Sequence, residues 1–182
     1  MKPIPNYSQI PSRSHRGKLP VGGYVCKLTE VSDVPKKEYL NILFDIAEGT
    51  EAGRFADDYY RDKPYLHRFM RSYKDTAKEM FKEFTDAIDA SNGTDLTPQV
   101  EKGLDEKTLV GKLIGLVLAE EEYENDRGEV KVRQYVAQCL DAASIRDGAY
   151  KVPELKKLKR DGMVPAPEVS FGAPVDDDNL PF

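Results

Sequence analysis

Tryptophan is absent from the 182-residue chain, and cysteine and histidine occur only twice each. Cys26 and Cys139 lie far apart and outside any C-x-x-C spacing. The sequence therefore offers neither a zinc cluster nor a disulfide framework, and reads as a cytosolic chain with two ordinary buried thiols. No apolar run exceeds the seven residues Leu113–Ala119, too short for a membrane-spanning helix. The stretch MKPIPNYSQIPSRSH has no hydrophobic segment that would mark a secretory signal. Catalytic signatures are equally scarce. There is no G-x-S-x-G, and Gly111-Lys112 has Glu106 where a phosphate loop needs glycine and Leu113 where it needs Ser or Thr. Neither His15 nor His67 has a second metal-ligating residue at helical or strand spacing.

Charge of one sign is missing at each end. No acid precedes Glu30, and no Lys or Arg follows Arg160. The net charge of −5 is accounted for by residues 161–182, which hold Asp161, Glu168, Asp176, Asp177 and Asp178, so the first 160 residues balance at 27 basic and 27 acidic groups. Residues 1–74 carry 13 basic against 9 acidic groups. This asymmetry, rather than the total, is what bears on partners.

With 40% apolar and 32% charged residues the chain suits one globular domain with polar extensions. Residues 1–18, rich in Pro, Ser and basic groups, read as an arm. Tyr24–Val31 follows Gly22-Gly23 and suits a strand. In Tyr39–Ala47, Leu40, Ile42, Phe44 and Ile46 share one face while Tyr39, Asn41 and Asp45 share the other, the period of a half-buried strand. Arg54–Tyr60 reads as a third strand. Ala77, Met80, Phe81, Phe84 and Ile88 then form the stripe of an amphipathic helix over 72–92, with Ser72 as N-cap and Asn92-Gly93 as stop. Two more strands, Leu109–Tyr123 and Glu129–Ala142, flank the hairpin loop Glu124–Gly128. Three strands, a helix and two strands is the order of an OB fold, a five-stranded Greek-key barrel within a mainly β, α+β class. A small open α+β sheet would produce the same string. Residues 151–160 read as a basic helical extension, and the Pro-rich acidic stretch 161–182 as disordered.

The segment Arg54–Lys74 concentrates six aromatic residues (Phe55, Tyr59, Tyr60, Tyr65, Phe69, Tyr73) and six basic ones (Arg54, Arg61, Lys63, Arg68, Arg71, Lys74). Aromatic faces stack on unpaired bases and cations track the phosphate backbone, so the combination suits single-stranded DNA. Phe55 and Phe69 fit the core; Tyr59, Tyr60, Tyr65 and the intervening cations fit the surface. Lys36, Lys37 and Tyr39, and again Lys131, Arg133 and Tyr135, repeat the pairing. The enzymatic alternative is a metal-dependent nuclease. Glu129 and Lys131 share a strand face, where a carboxylate and a lysine can hold Mg²⁺ and orient water, with Asp126 or Asp57-Asp58 as a further ligand. E-x-K is nonetheless a short pattern in a chain rich in both residues.

The stretch Asp176-Asp177-Asp178-Asn179-Leu180-Pro181-Phe182 resembles the tip of bacterial single-stranded-DNA-binding proteins, whose tails finish on aspartates, an apolar residue, Pro and Phe; Asn179 is an insertion in that pattern. Over roughly residues 19–60 the body is similar to a phage- or prophage-encoded family of such proteins. The likeness lies in the G-x-Y opening at Gly22-Gly23-Tyr24, the strand Leu40–Gly49 and the continuation Gly53-Arg54-Phe55. The chain departs from the cellular pattern in having no Trp, which leaves stacking to Tyr and Phe. An aromatic ring beside a carboxylate can fill a partner's pocket while Arg or Lys there takes the charge.

The expectation is a basic arm (1–18), an OB domain (19–150), a basic extension (151–160) and an acidic tail (161–182). The domain binds single-stranded DNA in the bacterial host cytoplasm, without catalysis, cofactor, metal or membrane. It recruits replication or recombination proteins through Asp176, Asp177, Asp178, Leu180, Pro181 and Phe182. A homo-oligomer is left open, as is a role as an adaptor that uses the tail alone.

Overall fold

The strands follow from where the sequence alternates. A computed structural model describes residues 3, 5 and 17–158; the rest of the arm and the tail, with Asp176–Phe182, lie outside the described residues. β1 (Gly22–Val34), β2 (Tyr39–Ile46), β3 (Arg68–Ser72), β4 (Leu113–Glu124) and β5 (Val130–Leu140) form one sheet in the order β3-β2-β1-β4-β5, every pair antiparallel. β2 keeps the expected period without exception, with Leu40, Ile42, Phe44 and Ile46 buried.

β1 serves two partners. Its first half, Gly22–Lys27, pairs with β4, and its second, Cys26–Val34, pairs with β2. A bulge between Leu28 and Glu30 lets it turn from one to the other. Helix α1 (Lys78–Asn92) packs Phe81, Phe84, Ala87 and Ile88 onto the sheet in the main core with Leu28, Ile42, Phe44, Phe69 and Leu116. Gly93 stops the helix in the left-handed region (φ 63°) and donates back to Asp89 O, as the sequence predicts.

Two short helices were not legible in the sequence: α2 (Thr97–Lys102) and α3 (Ala142–Arg146). Asp141 caps α3 by accepting from Ser144 N at 2.8 Å. α3 lies on the other face of the sheet, where Ala142 and Ile145 meet Val25 and Val117. It fits against two glycines, Gly23, where a Cβ would sit 2.9 Å from Ile145 Cδ1, and Gly115. A Cβ at Gly115 would sit 2.5 Å from Ile145 Cγ1 and 2.8 Å from Asp141 O.

Several expected boundaries move. Arg54–Tyr60 is not a strand but two 3-10 turns, Arg54–Ala56 and Asp58–Tyr60; the third strand begins at Arg68. Asp45 accepts the Phe55 amide at 2.8 Å, and Asp57 caps the second turn by accepting from Tyr59 N at 2.8 Å. Ser72 closes β3 and donates to Glu38 O instead of capping the helix, which starts after a 3-10 turn at Asp75–Ala77. Residues 109–112 and 141–142 fall outside β4 and β5. Residues 151–158 are extended rather than helical. Lys156 bridges in parallel to Glu121, exchanging backbone hydrogen bonds with Glu120 O and Glu122 N, because β1 leaves that edge of β4 uncovered beyond Leu118. No helix among the described residues is long and apolar enough to cross a membrane.

Candidate nucleic-acid interface

The face of β2 and β3 turned away from the core carries Tyr39, Asn41 and Leu43 on one strand and Arg68, Met70 and Ser72 on the other, in the cross-strand pairs Tyr39–Ser72, Asn41–Met70 and Leu43–Arg68. Ser32 and Val34 of β1 extend the rows, opposite Asn41 and Tyr39. Met70 is 55% exposed. The β1–β2 connection is a 3-10 turn, Pro35–Lys37, closed by Glu38 in the left-handed region (φ 54°). Tyr73 N donates to Glu38 O at 3.0 Å and ties that turn to the end of β3. Lys36 and Lys37 stand exposed beside Tyr39.

The long β2–β3 connection is built on an inward knot. Asp45 Oδ1 accepts from Ile46 N and Phe55 N, both at 2.8 Å. Phe55 meets Phe44 edge-on at 5.7 Å, Tyr60 at 5.1 Å, and His67 in a stack at 4.8 Å. Burial holds the His67 imidazole below its usual pKa, against a weaker pull from Asp45. With those rings inside, Tyr59, Tyr65 and Leu66 face out, Tyr65 at 62% exposure. Lys63 Nζ lies 3.5 Å from the Tyr59 ring centroid and donates to Tyr59 O at 2.9 Å.

Three of the expected surface residues are therefore interior. Arg54 is 3% exposed, pairs with Glu51 at 2.5 Å and donates to Gly17 O. Tyr60 packs on Phe55 and Tyr59. Arg71 points inward against Cys139. All three are buried and present little surface to a ligand. Arg61 is exposed but paired with Asp58.

Lys131, Arg133 and Tyr135 stand on β5, in the β4–β5 ribbon, at the opposite end of the strand order from β3. Arg133 lies 5.1 Å above the Tyr123 ring and pairs with Glu121 at 2.8 Å, while Lys131 pairs with Glu129 at 3.2 Å. Glu129 also accepts from Asn125 Nδ2 at 2.8 Å, and Asn125, then Lys131, hold its carboxyl below the usual range. Asp57 and Asp58 are on the β2–β3 connection, one capping a turn and the other paired with Arg61. Among the described residues no three His, Cys, Asp or Glu side chains are grouped to hold a metal ion.

The structure thus brings Tyr39 and Arg68 to one face, with Lys36 and Lys37 on the turn that leads into β2 and Tyr59, Lys63 and Tyr65 on the β2–β3 connection, while Lys131, Arg133 and Tyr135 are on β5. Asn41, Leu43, Met70 and Ser72 join that face without having been singled out. The period of β2 already set Asn41 beside Tyr39. The same alternation in Arg68-Phe69-Met70-Arg71-Ser72 would have exposed Met70 had the strand been placed there. Neither a protein-family model nor a curated protein matches this chain.

Proposed function

We propose that the chain binds single-stranded DNA without reading its sequence, along the outward face of β2 and β3, and that residues 176–182 capture replication or recombination proteins. The shared face carries the first half of this reading. Tyr39, Leu43 and Met70 on the face and Tyr65 on the connection offer flat or apolar surfaces, and Arg68 on β3 with Lys36 and Lys37 on the turn before β2 supply cations. Stacking is worth about 1–3 kcal/mol per base and tolerates any base, while the cations follow the phosphates.

The strand order supports an OB barrel. A barrel whose third and fifth strands are neighbours has the order β3-β2-β1-β4-β5 when opened at that seam, and α1, which follows β3, packs against both seam strands. In OB domains the second and third strands and the loop between the first and second are the surface that takes oligonucleotides. The resemblance of 176–182 to the tips of single-stranded-DNA-binding proteins supports the recruiting role. Binding of this kind needs no catalytic group, cofactor or metal.

Tyrosine fluorescence tests it, since no tryptophan masks the signal. Titration with oligo-dT should quench the emission, with an affinity that falls steeply as salt rises because phosphate contacts release counterions. Duplex of equal length should bind far more weakly. Equal affinity for both forms would overturn the reading.

A further inference from the structure

β3 and β5 end the sheet on its two sides, and no ladder joins them among the described residues. The gap is crossed by a side-chain hydrogen bond. Arg71 Nη2, from β3, donates to Cys139 Sγ, on β5, at 2.9 Å. Arg71 is 8% exposed, its Nη1 donates to Met70 O at 3.2 Å, its guanidinium lies 5.0 Å from the Phe69 ring, and its Nε has no partner. Among the described residues no carboxylate pairs with it.

A buried cation without a carboxylate is costly. Burial pushes the Cys139 thiol up despite the arginine beside it, so the acceptor is neutral sulfur rather than thiolate. Where a chain breaks a rule of polar satisfaction this plainly, a function is the place to look for the reason. β3 has only five residues and one hydrogen-bonded neighbour, β2, so it is the strand least able to hold its own shape. It also carries Arg68 and Met70 outward while Arg71 goes in.

We propose that Arg71 is a positioning residue for the DNA face: its bond to Cys139 latches β3 to β5 across the seam and holds Arg68 and Met70 in the curvature on which a single strand lies. The inference rests on the DNA-binding reading for its consequence, though the latch itself can be read without DNA. A direct contact between Arg71 and DNA would behave differently, because Cys139 would then be irrelevant to affinity.

The test uses the full chain with Arg71→Met, Cys139→Val, the double variant and Cys139→Ser. Arg71→Met and Cys139→Val should each weaken oligo-dT binding about three- to tenfold, and the double variant no more than either alone, as coupled partners do. Cys139→Ser, whose hydroxyl still accepts, should bind like the parent. Amide hydrogen exchange should quicken in residues 68–72 of the first two variants and not in 113–118. The melting temperature of Arg71→Met should hold or rise, since an unpaired buried charge has been removed. Parent-like affinity in Cys139→Val, additive losses, or affinity that falls only in step with melting temperature would each overturn the latch. Should the parent bind no oligo-dT, exchange still decides: faster exchange at 68–72 supports the latch and condemns only the DNA reading, while unchanged exchange overturns the latch as well.

Discussion

Tyr60 is 7% exposed and Tyr65 62%, five residues apart on one loop. The difference lies in what each ring touches: Tyr60 stands edge-on to Phe55 in the knot behind the loop, while Tyr65 follows Pro64 in a 3-10 turn whose side chains face out. The two substitutions should therefore separate stability from binding. Tyr60→Ala should lower unfolding free energy by about 3 kcal/mol, a core aromatic truncation. Tyr65→Ala should leave chemical denaturation unchanged and weaken oligo-dT binding by about 1–3 kcal/mol, one base's stacking. His67 adds a pH term. Its folded pKa lies below the usual 6.5, so between those two values the unfolded chain holds a proton that the folded chain does not. Its contribution to stability is whole above pH 6.5 and is lost as pH falls through that window, with a slope of at most about 1.4 kcal/mol per pH unit. Urea denaturation of parent and His67→Phe at pH 7.5 and 5.5 should show the smaller loss in the variant; equal losses would assign the acid sensitivity to other groups.

Among the elements, the sheet accommodates α3 against its second face through two glycines, Gly23 of β1 and Gly115 of β4. Gly115 of β4 lies under Ile145, and the nearest atoms to an added Cβ include the backbone oxygens of Leu140 and Asp141, which cannot swing aside as a flexible side chain does. Gly115→Ala should destabilise the chain by about 1–3 kcal/mol through overpacking. The molecules that remain folded should bind oligo-dT as before, because α3 covers Val25 and Val117 and not the rows of β2 and β3. A loss of binding at full folding would mean that the two faces are coupled.

Across the whole molecule, charge is divided more sharply than the total of −5 suggests. The acidic residues of 161–182 offset no cation of their own segment, while residues 1–74 carry 13 basic against 9 acidic groups. A tethered acidic segment acts at an effective concentration on the order of millimolar. Deleting residues 174–182 should leave melting unchanged and strengthen oligo-dT binding slightly, most at low salt where screening is weak. The same deletion, and Phe182→Ala alone, should abolish pull-down of replication or recombination proteins that the intact chain captures. Retention of every partner by Phe182→Ala would remove the recruiting role and leave DNA binding standing.

Alternation and periodicity are local properties, and for that reason the sequence by itself determined four of the five strands, the long helix with its glycine stop, the buried face of β2 and the face that Tyr39 shares with Asn41. A period of two or of 3.6 states which residues share a face before any partner is known. What it cannot state is which rings a loop turns inward. Arg54–Tyr60 has strand-like composition, but Asp45 accepts the Phe55 amide and Phe44 and His67 take up the Phe55 ring, and those partners come from β2 and from beyond the turn. The same holds for Arg71. Its place in a basic, aromatic segment pointed to phosphate, whereas the approach of β3 to β5 sets it against Cys139, 68 residues away. Tertiary structure alone decided these positions, because burial of a long side chain depends on contacts with residues far away in the chain.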